Sequence, residues 1–247
     1  MIMKIIETKS FELATISRGD INSPKIALLL PGQLDTKDYA HMANHVDFLA
    51  NKGYYALSFD PPGTWDSPGS IDLYTMTNYA KAINELIEFL GNRPTVLMGH
   101  SRGGSMAMLV GPDNQYVTHI IAVMSNIAPS KLQVGYSKDE IKENVKISYR
   151  DMPPNDKVNK KRFDLPLNYF KDAAKYNIID GLKNCSKPKL FFYGTEDILV
   201  KPESVKATYD EVIEPKAIHE LKSDHDYRYH KNIIEEVNNV VWDFLSW

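Results

Sequence analysis

One cysteine, Cys185, stands in 247 residues. A single thiol excludes an internal disulfide framework and any multi-cysteine metal cluster, and it suits a reducing compartment. A basic excess is also missing: 29 Lys and Arg face 32 Asp and Glu, for a net charge of −3. That balance argues against a nucleic-acid partner, since general binders carry a strongly basic domain. Even the longest apolar runs, such as residues 26–30 and 120–124, fall far short of the ~20 residues that cross a bilayer. The opening stretch, MIMKIIETKS, is broken by charge too early for the apolar core of a signal peptide. Internal repeats and low-complexity tracts are absent. These absences predict a cytoplasmic protein without membrane insertion. Hydrophobic residues at 43% and charged residues at 25% are ordinary for a globular chain with a large core.

What is present is an alternation. Short apolar runs at 25–30, 54–59, 95–98, 119–124 and 189–193 each end at a small or turn-forming residue. They are continuous rather than alternating in polarity, as buried parallel strands require. Residues 217–221 add a strand whose alternating polarity suits an edge, and 11–16 suit an antiparallel edge strand. Between them lie helical spacings: Met42, Val46 and Leu49 before Gly53; Tyr79, Ile83, Leu86, Ile87 and Leu90; and Ile233, Ile234, Val237, Val240, Val241, Phe244 and Leu245. The alternation predicts an α/β fold, a mostly parallel sheet with helices on both faces.

One stretch breaks the rhythm. Residues 129–178 hold Pro153, Pro154 and Pro166 and show no central strand. Residues 130–175 carry eleven Lys or Arg against seven Asp or Glu. They read as an inserted helical cap on one domain spanning 1–247. The basic surplus fits either a solvated surface or attraction of an anionic substrate. The aromatics Tyr136, Tyr149, Phe163, Tyr169, Phe170 and Tyr176 suit either an acyl pocket or the anchoring of the cap.

The chemistry is carried by PTVLMGHSRGGSMAML, residues 94–109. It reads as strand, then Gly99-x-Ser101-x-Gly103, then helix. A serine hydroxyl is a poor nucleophile unless exposed, activated and aimed. A tight strand-to-helix turn exposes Ser101 near the positive end of the next helix. Such a turn needs small neighbours, which Gly99 and Gly103 supply, and Gly104 lets the helix approach the sheet. Other sites find no support. His41 and His45 are spaced for one helix face, but Met42 stands where a zinc-binding His-Glu-x-x-His needs Glu. The glycines lack the Lys-Ser/Thr ending of a phosphate loop. No metal and no cofactor is expected.

This strand, turn and helix resemble the α/β-hydrolase superfamily, in its single-cap or lidded esterase-like branch, from about residue 26 to 247. The family order is nucleophile, acid, histidine. It implies that Asp197, in Gly194-Thr-Glu-Asp197, is the acid, with Glu196 as its competing neighbour. His225, after the next strand, is then the base, ahead of His219 within that strand and His230 at the last helix. Ser101 would attack a carbonyl carbon and His225 would take and return the proton. The oxyanion donors implied are the backbone N–H groups of Arg102 and Gln33, the latter in Leu30-Pro-Gly32-Gln33, where relatives often have His-Gly. The loop 60–70 resembles the family's Asp-x-x-Gly-x-Gly-x-Ser, with Trp65 in place of the second Gly and its ring near the pocket mouth. The resemblance implies a carboxylesterase-like serine hydrolase acting on a small-molecule substrate through an acyl-enzyme. The scaffold also cleaves carbon–carbon and peptide bonds, and some relatives only bind small ligands. Pocket evidence and turnover separate these readings, and the oligomeric state is open.

Overall fold

The computed structural model describes residues 3–127 and 144–246. Ten strands and seven α-helices alternate through them. The strands are β1 Lys4–Glu7, β2 Glu12–Arg18, β3 Ile26–Leu30, β4 Tyr55–Phe59, β5 Thr95–His100, β6 Val117–Val123, β7 Val145–Met152, β8 Asp156–Pro166, β9 Lys189–Gly194 and β10 Lys216–Leu221. The helices are α1 Ala40–Asn51, α2 Met76–Phe89, α3 Arg102–Val110, α4 Leu167–Ala173, α5 Ile178–Leu182, α6 Pro202–Glu211 and α7 Lys231–Leu245.

Eight strands form one sheet in the order β1-β2-β4-β3-β5-β6-β9-β10. From β4 to β10 every pairing is parallel, and β1 and β2 join antiparallel. Strands β3, β4, β5 and β9 are buried at every residue. Their unbroken apolar runs follow from helices on both faces. Side chains alternate along each strand. Leu28 and Leu30 face a core with Tyr79, Leu86 and Met106 of α2 and α3. Ala27 and Leu29 face the opposite core with Val46 of α1 and Val237 of α7. The helical stripes at 42–49, 79–87 and 233–244 are these buried faces.

Two expectations change. The antiparallel strand near 11–16 exists as β2 but is not the edge, because β1 pairs outside it. β1 is short and largely exposed, so its burial pattern carries no signal. The insertion between β6 and β9 is not wholly helical either. Residues 128–143 lie outside the described residues, and with them Tyr136. After them β7 and β8 form an antiparallel ribbon, with Ser148 opposite Phe163 and Tyr149 opposite Arg162. Apolar Val145, Ile147 and Tyr149 alternate with polar Lys146, Ser148 and Arg150, the period of a strand, but burial does not follow it: Tyr149 is exposed and Asp151 is buried. Helix follows only at α4 and α5. Phe163 and Tyr169 are buried against the main core, Phe170 and Tyr176 pack on it, and Tyr149 is exposed.

Candidate active site

β5 ends at His100 and α3 begins at Arg102, so Ser101 alone turns strand into helix. Its backbone stands at φ 51° and ψ −119°, a strained conformation for an L-residue, costing about 1–3 kcal/mol. The packing leaves little alternative. A Cβ at Gly99 would lie 2.1 Å from the Gly103 carbonyl carbon, and one at Gly103 only 1.9 Å from the Leu30 oxygen. A Cβ at Gly104 would meet Ser125 Oγ at 1.9 Å. Small residues here therefore set how closely α3 lies on β3 and β5. The Ser101 N–H donates to the Val123 carbonyl at the end of β6 (2.9 Å), which ties the turn to the neighbouring strand.

Two further loops converge on this serine. After β9, the Asp197 N–H donates to Gly194 O at 3.2 Å. Asp197 Oδ1 accepts from the N–H groups of Leu199 and Val200, each at 2.8 Å. Its Oδ2 lies 2.7 Å from His225 Nδ1, and His225 Nε2 lies 2.9 Å from Ser101 Oγ. A carboxylate only accepts, so Nδ1 carries a proton towards Asp197 and Nε2 faces the serine hydroxyl. Burial alone would raise the Asp197 pKa, but the hydrogen bond and charge of His225 and the two backbone N–H groups hold it below the usual carboxylate range. Glu196 and the other candidate histidines stand apart from this chain of contacts. Glu196 is exposed, His219 Nε2 pairs with Glu236 (2.8 Å), and His230 Nε2 faces Asp224 (3.5 Å).

The loop after β3 closes the site from the other side. A Cβ on Gly32 would lie 3.4 Å from Ser101 Cβ and 2.5 Å from Asp35 Oδ2. Among the described residues no acceptor takes the N–H of Gln33. Its side-chain Oε1 accepts from the Tyr169 hydroxyl at 3.2 Å, and its carbonyl accepts from Arg150 Nη2 at 2.6 Å. Leu34 sits at φ 57°. The Leu34 N–H donates to the Tyr74 hydroxyl (3.2 Å) and its carbonyl accepts from Trp65 Nε1 (2.8 Å). Trp65 thus joins this loop to the ribbon, with its ring edge-on to Phe163 at 5.4 Å. Arg102 begins α3, and its Nη1 lies 3.5 Å from Met76 Sδ.

Sequence reasoning missed a buried ionic cluster under this loop. Asp35 lies 3.7 Å from His100 Nδ1, 3.8 Å from Arg150 Nε and 3.6 Å from Arg228 Nη1. Burial works to raise its pKa, but His100, Arg150 and Arg228 together hold Asp35 far below the usual range. His100 Nε2 donates to the His225 carbonyl at 2.9 Å. Burial pushes the His100 pKa down, with the charge of His225 adding to it, against the pull of Asp35. Asp35, Arg150 and Arg228 come from three distant segments, so no spacing in the chain could have linked them. His41 and His45 share the inner face of α1, with ring centroids 6.2 Å apart. His45 is hydrogen-bonded to Asn238 (2.6 Å) and Tyr227 (2.9 Å). Among the described residues no group of three or more His, Cys, Asp or Glu is placed to hold a metal ion. No helix among them is long and apolar enough to cross a membrane.

Comparison with known proteins agrees with this fold. Residues 28–149 match the family model described as the alpha/beta hydrolase fold. The chain is 26% identical over 246 residues to lysophosphatidylserine lipase ABHD12 of Danio rerio, covering 91% of this chain and 59% of that protein. It therefore spans under two thirds of that relative's length. It is 20% identical over 205 residues to the mitochondrial palmitoyl-protein thioesterase ABHD10 of Rattus norvegicus, covering 81% of this chain and 68% of that protein. Among solved structures, Est1E of Butyrivibrio proteoclasticus with bound ferulic acid superposes with a TM-score of 0.78 at 18% identity, covering 99% of this chain and all of the other.

Proposed function

The chain belongs to the α/β-hydrolase superfamily, and from that premise we propose that it is a serine hydrolase cleaving an ester or related acyl bond of a small-molecule substrate. The observation that carries this reading is the run of two contacts from Asp197 Oδ2 to His225 (2.7 Å) and from His225 to Ser101 Oγ (2.9 Å). In this reading Ser101 Oγ attacks the acyl carbon as His225 Nε2 takes its proton. His225 then hands that proton to the leaving group, which departs and leaves an acyl-Ser101 ester. Water, deprotonated by the same ring, hydrolyses the ester and restores Ser101. Asp197 holds the tautomer and stabilises the imidazolium. The N–H groups of Arg102 and Gln33 receive the carbonyl oxygen as it gains charge, each such donor being worth about 10²–10³ in kcat. The ribbon of β7 and β8 meets the Gln33 loop through Arg150. The lipase and thioesterase names of the two relatives favour an acyl bond over a carbon–carbon bond.

Hydrolysis of p-nitrophenyl acetate, butyrate and octanoate, with intact mass after fluorophosphonate labelling, tests the reading on wild type and Ser101→Ala. The expected result is one adduct on Ser101 and turnover lost in the variant. Wild type without adduct or Ser101-dependent turnover would sink it and favour a ligand-binding role.

A further inference from the structure

One arginine of the ribbon grips the loop that carries Gln33. Arg150 lies on β7, and its Nη2 donates to the Gln33 carbonyl at 2.6 Å. The same peptide is held from its other edge, where the Leu34 N–H meets the Tyr74 hydroxyl at 3.2 Å. Leu34 itself adopts a left-handed φ of 57°, so the loop takes a shape that a leucine does not favour unaided. One peptide earlier is the Gln33 N–H. Releasing the Gln33 carbonyl leaves that peptide with one hydrogen bond in place of two, which loosens the backbone next to the Gln33 N–H.

Charge makes a second demand. The Asp35 carboxylate folds back over Gly32, which lies against Ser101. An uncompensated negative charge there opposes charge building on a carbonyl oxygen beside Ser101. Arg150 and Arg228 flank that carboxylate at 3.8 and 3.6 Å. Arg228 also pairs with Asp151 (3.3 Å) and Asp226 (3.2 Å), so it divides its charge among three acids. The ribbon is pinned beside Arg150 and delivers it in a fixed place. Tyr39 donates to the Asp151 carbonyl at 2.9 Å, and the Asp151 carboxylate is held by Lys160, Arg228 and Tyr229.

We propose that Arg150 is a positioning residue for acyl transfer, fixing the oxyanion loop through the Gln33 carbonyl and cancelling the Asp35 charge beside Ser101. It touches no reacting atom, and it couples the inserted ribbon to the chemistry. The inference rests on the serine-hydrolase reading above.

The test uses the full chain carrying Arg150→Met, Arg150→Lys, or Arg150→Met with Asp35→Asn. The readouts are kcat and KM on p-nitrophenyl butyrate, affinity for an alkyl trifluoromethyl ketone, fluorophosphonate labelling rate and melting temperature. The ketone binds serine hydrolases as an anionic tetrahedral adduct, so it senses oxyanion stabilisation. Arg150→Met is expected to lower kcat about 10–100-fold, the scale of a small misplacement in a site. KM should stay within about threefold, as for an interaction made only in the transition state. Ketone affinity and labelling rate should fall in proportion. Arg150→Lys should recover part of the loss by charge, and Asp35→Asn should recover part by removing the charge to be cancelled. Wild-type kcat in Arg150→Met, a raised KM alone, or losses in all three variants that track melting temperature would overturn the inference. If wild type shows neither a Ser101 adduct nor turnover, the hydrolase reading fails and the inference with it.

Discussion

Replacing Asp197 with asparagine tests the hydrogen-bond logic of the site at almost constant shape. Oδ1 of Asp197 accepts from two backbone N–H groups at 2.8 Å, and Oδ2 accepts from His225 Nδ1 at 2.7 Å. Asparagine has one oxygen for these two tasks. Two backbone donors outweigh one imidazole, so the oxygen stays with Leu199 and Val200 and the NH2 turns towards His225. Nδ1 must then offer a lone pair, and the ring proton moves to Nε2. Nε2 now points a proton at Ser101 Oγ, 2.9 Å away, and can no longer accept one. The expected loss is about 10⁴-fold in kcat, equivalent to about 5.4 kcal/mol of transition-state stabilisation. Fluorophosphonate labelling of Ser101 should slow similarly, since it needs the same proton transfer. The assay is p-nitrophenyl butyrate turnover beside a melting curve for each protein. Because both backbone donors keep their acceptor, the melting temperature should move by only a few degrees. A loss under about tenfold, or one explained by unfolding, would refute the assigned tautomer.

Lys37 is fully buried among Asp38, Asp60 and Asp66, with Nζ–O distances of 2.6, 3.0 and 2.7 Å. Lys37→Met strands the buried Asp60 carboxylate and should cost about 3–5 kcal/mol, or roughly 6–20 °C in melting temperature. Adding Asp60→Asn should recover part of it, and a cost under about 1 kcal/mol by urea unfolding would contradict the account. Stability should also fall with acid. Burial pushes the His45 pKa down to about 4, against its hydrogen bond to Asn238, and the charge of His100 adds to the depression. Burial pushes His41 well down too. Below about pH 6.5 the unfolded chain binds protons that these folded rings refuse. Stability present above pH 6.5 is therefore lost towards pH 4, by up to about 1.4 kcal/mol per pH unit for each histidine. Urea midpoints that stay level between pH 7 and 5 would rule this out.

The central sheet was readable because burial on both faces leaves an unbroken apolar run. Residues 26–30, 55–59 and 95–98 carry that run, and the helices between them carry a stripe. The elbow was readable because its sterics admit only glycine at 99 and 103, and that restriction shows in the chain. β1 and the ribbon were harder. Both are partly exposed, and a half-exposed strand alternates in polarity instead of forming a run. In the ribbon the alternation of Val145, Ile147 and Tyr149 was present but lay beside prolines and lysines that read as irregular. The convergence of Ser101, Asp197 and His225 was expected only through resemblance, since nothing in their spacing brings them together. The contacts of Asp35 had no signal at all: their partners come from the end of β5, the inserted ribbon and the loop after β10, which only the folded topology juxtaposes.

The loop from Pro31 to Asp38 shows why such contacts are ionic. In the proposed mechanism it places the Gln33 N–H beside Ser101, yet it lies beyond the end of β3, where neither ladder nor helix fixes the backbone. Apolar packing is nondirectional and leaves rotation about single peptides free. Hydrogen bonds and ion pairs are directional. The loop is accordingly fastened at alternate residues: Gln33 by Arg150, Asp35 by Arg150 and Arg228, and Lys37 by three carboxylates. Buried ion pairs of this kind seldom stabilise a fold more than apolar residues of the same volume would. Their placement along the one loop that carries Gln33 is therefore better accounted for by geometry than by stability. Loss of a fastening next to Gln33 should then register in kcat before it registers in melting temperature, whereas loss of Lys37, which leaves a carboxylate with no exit to water, should register in both.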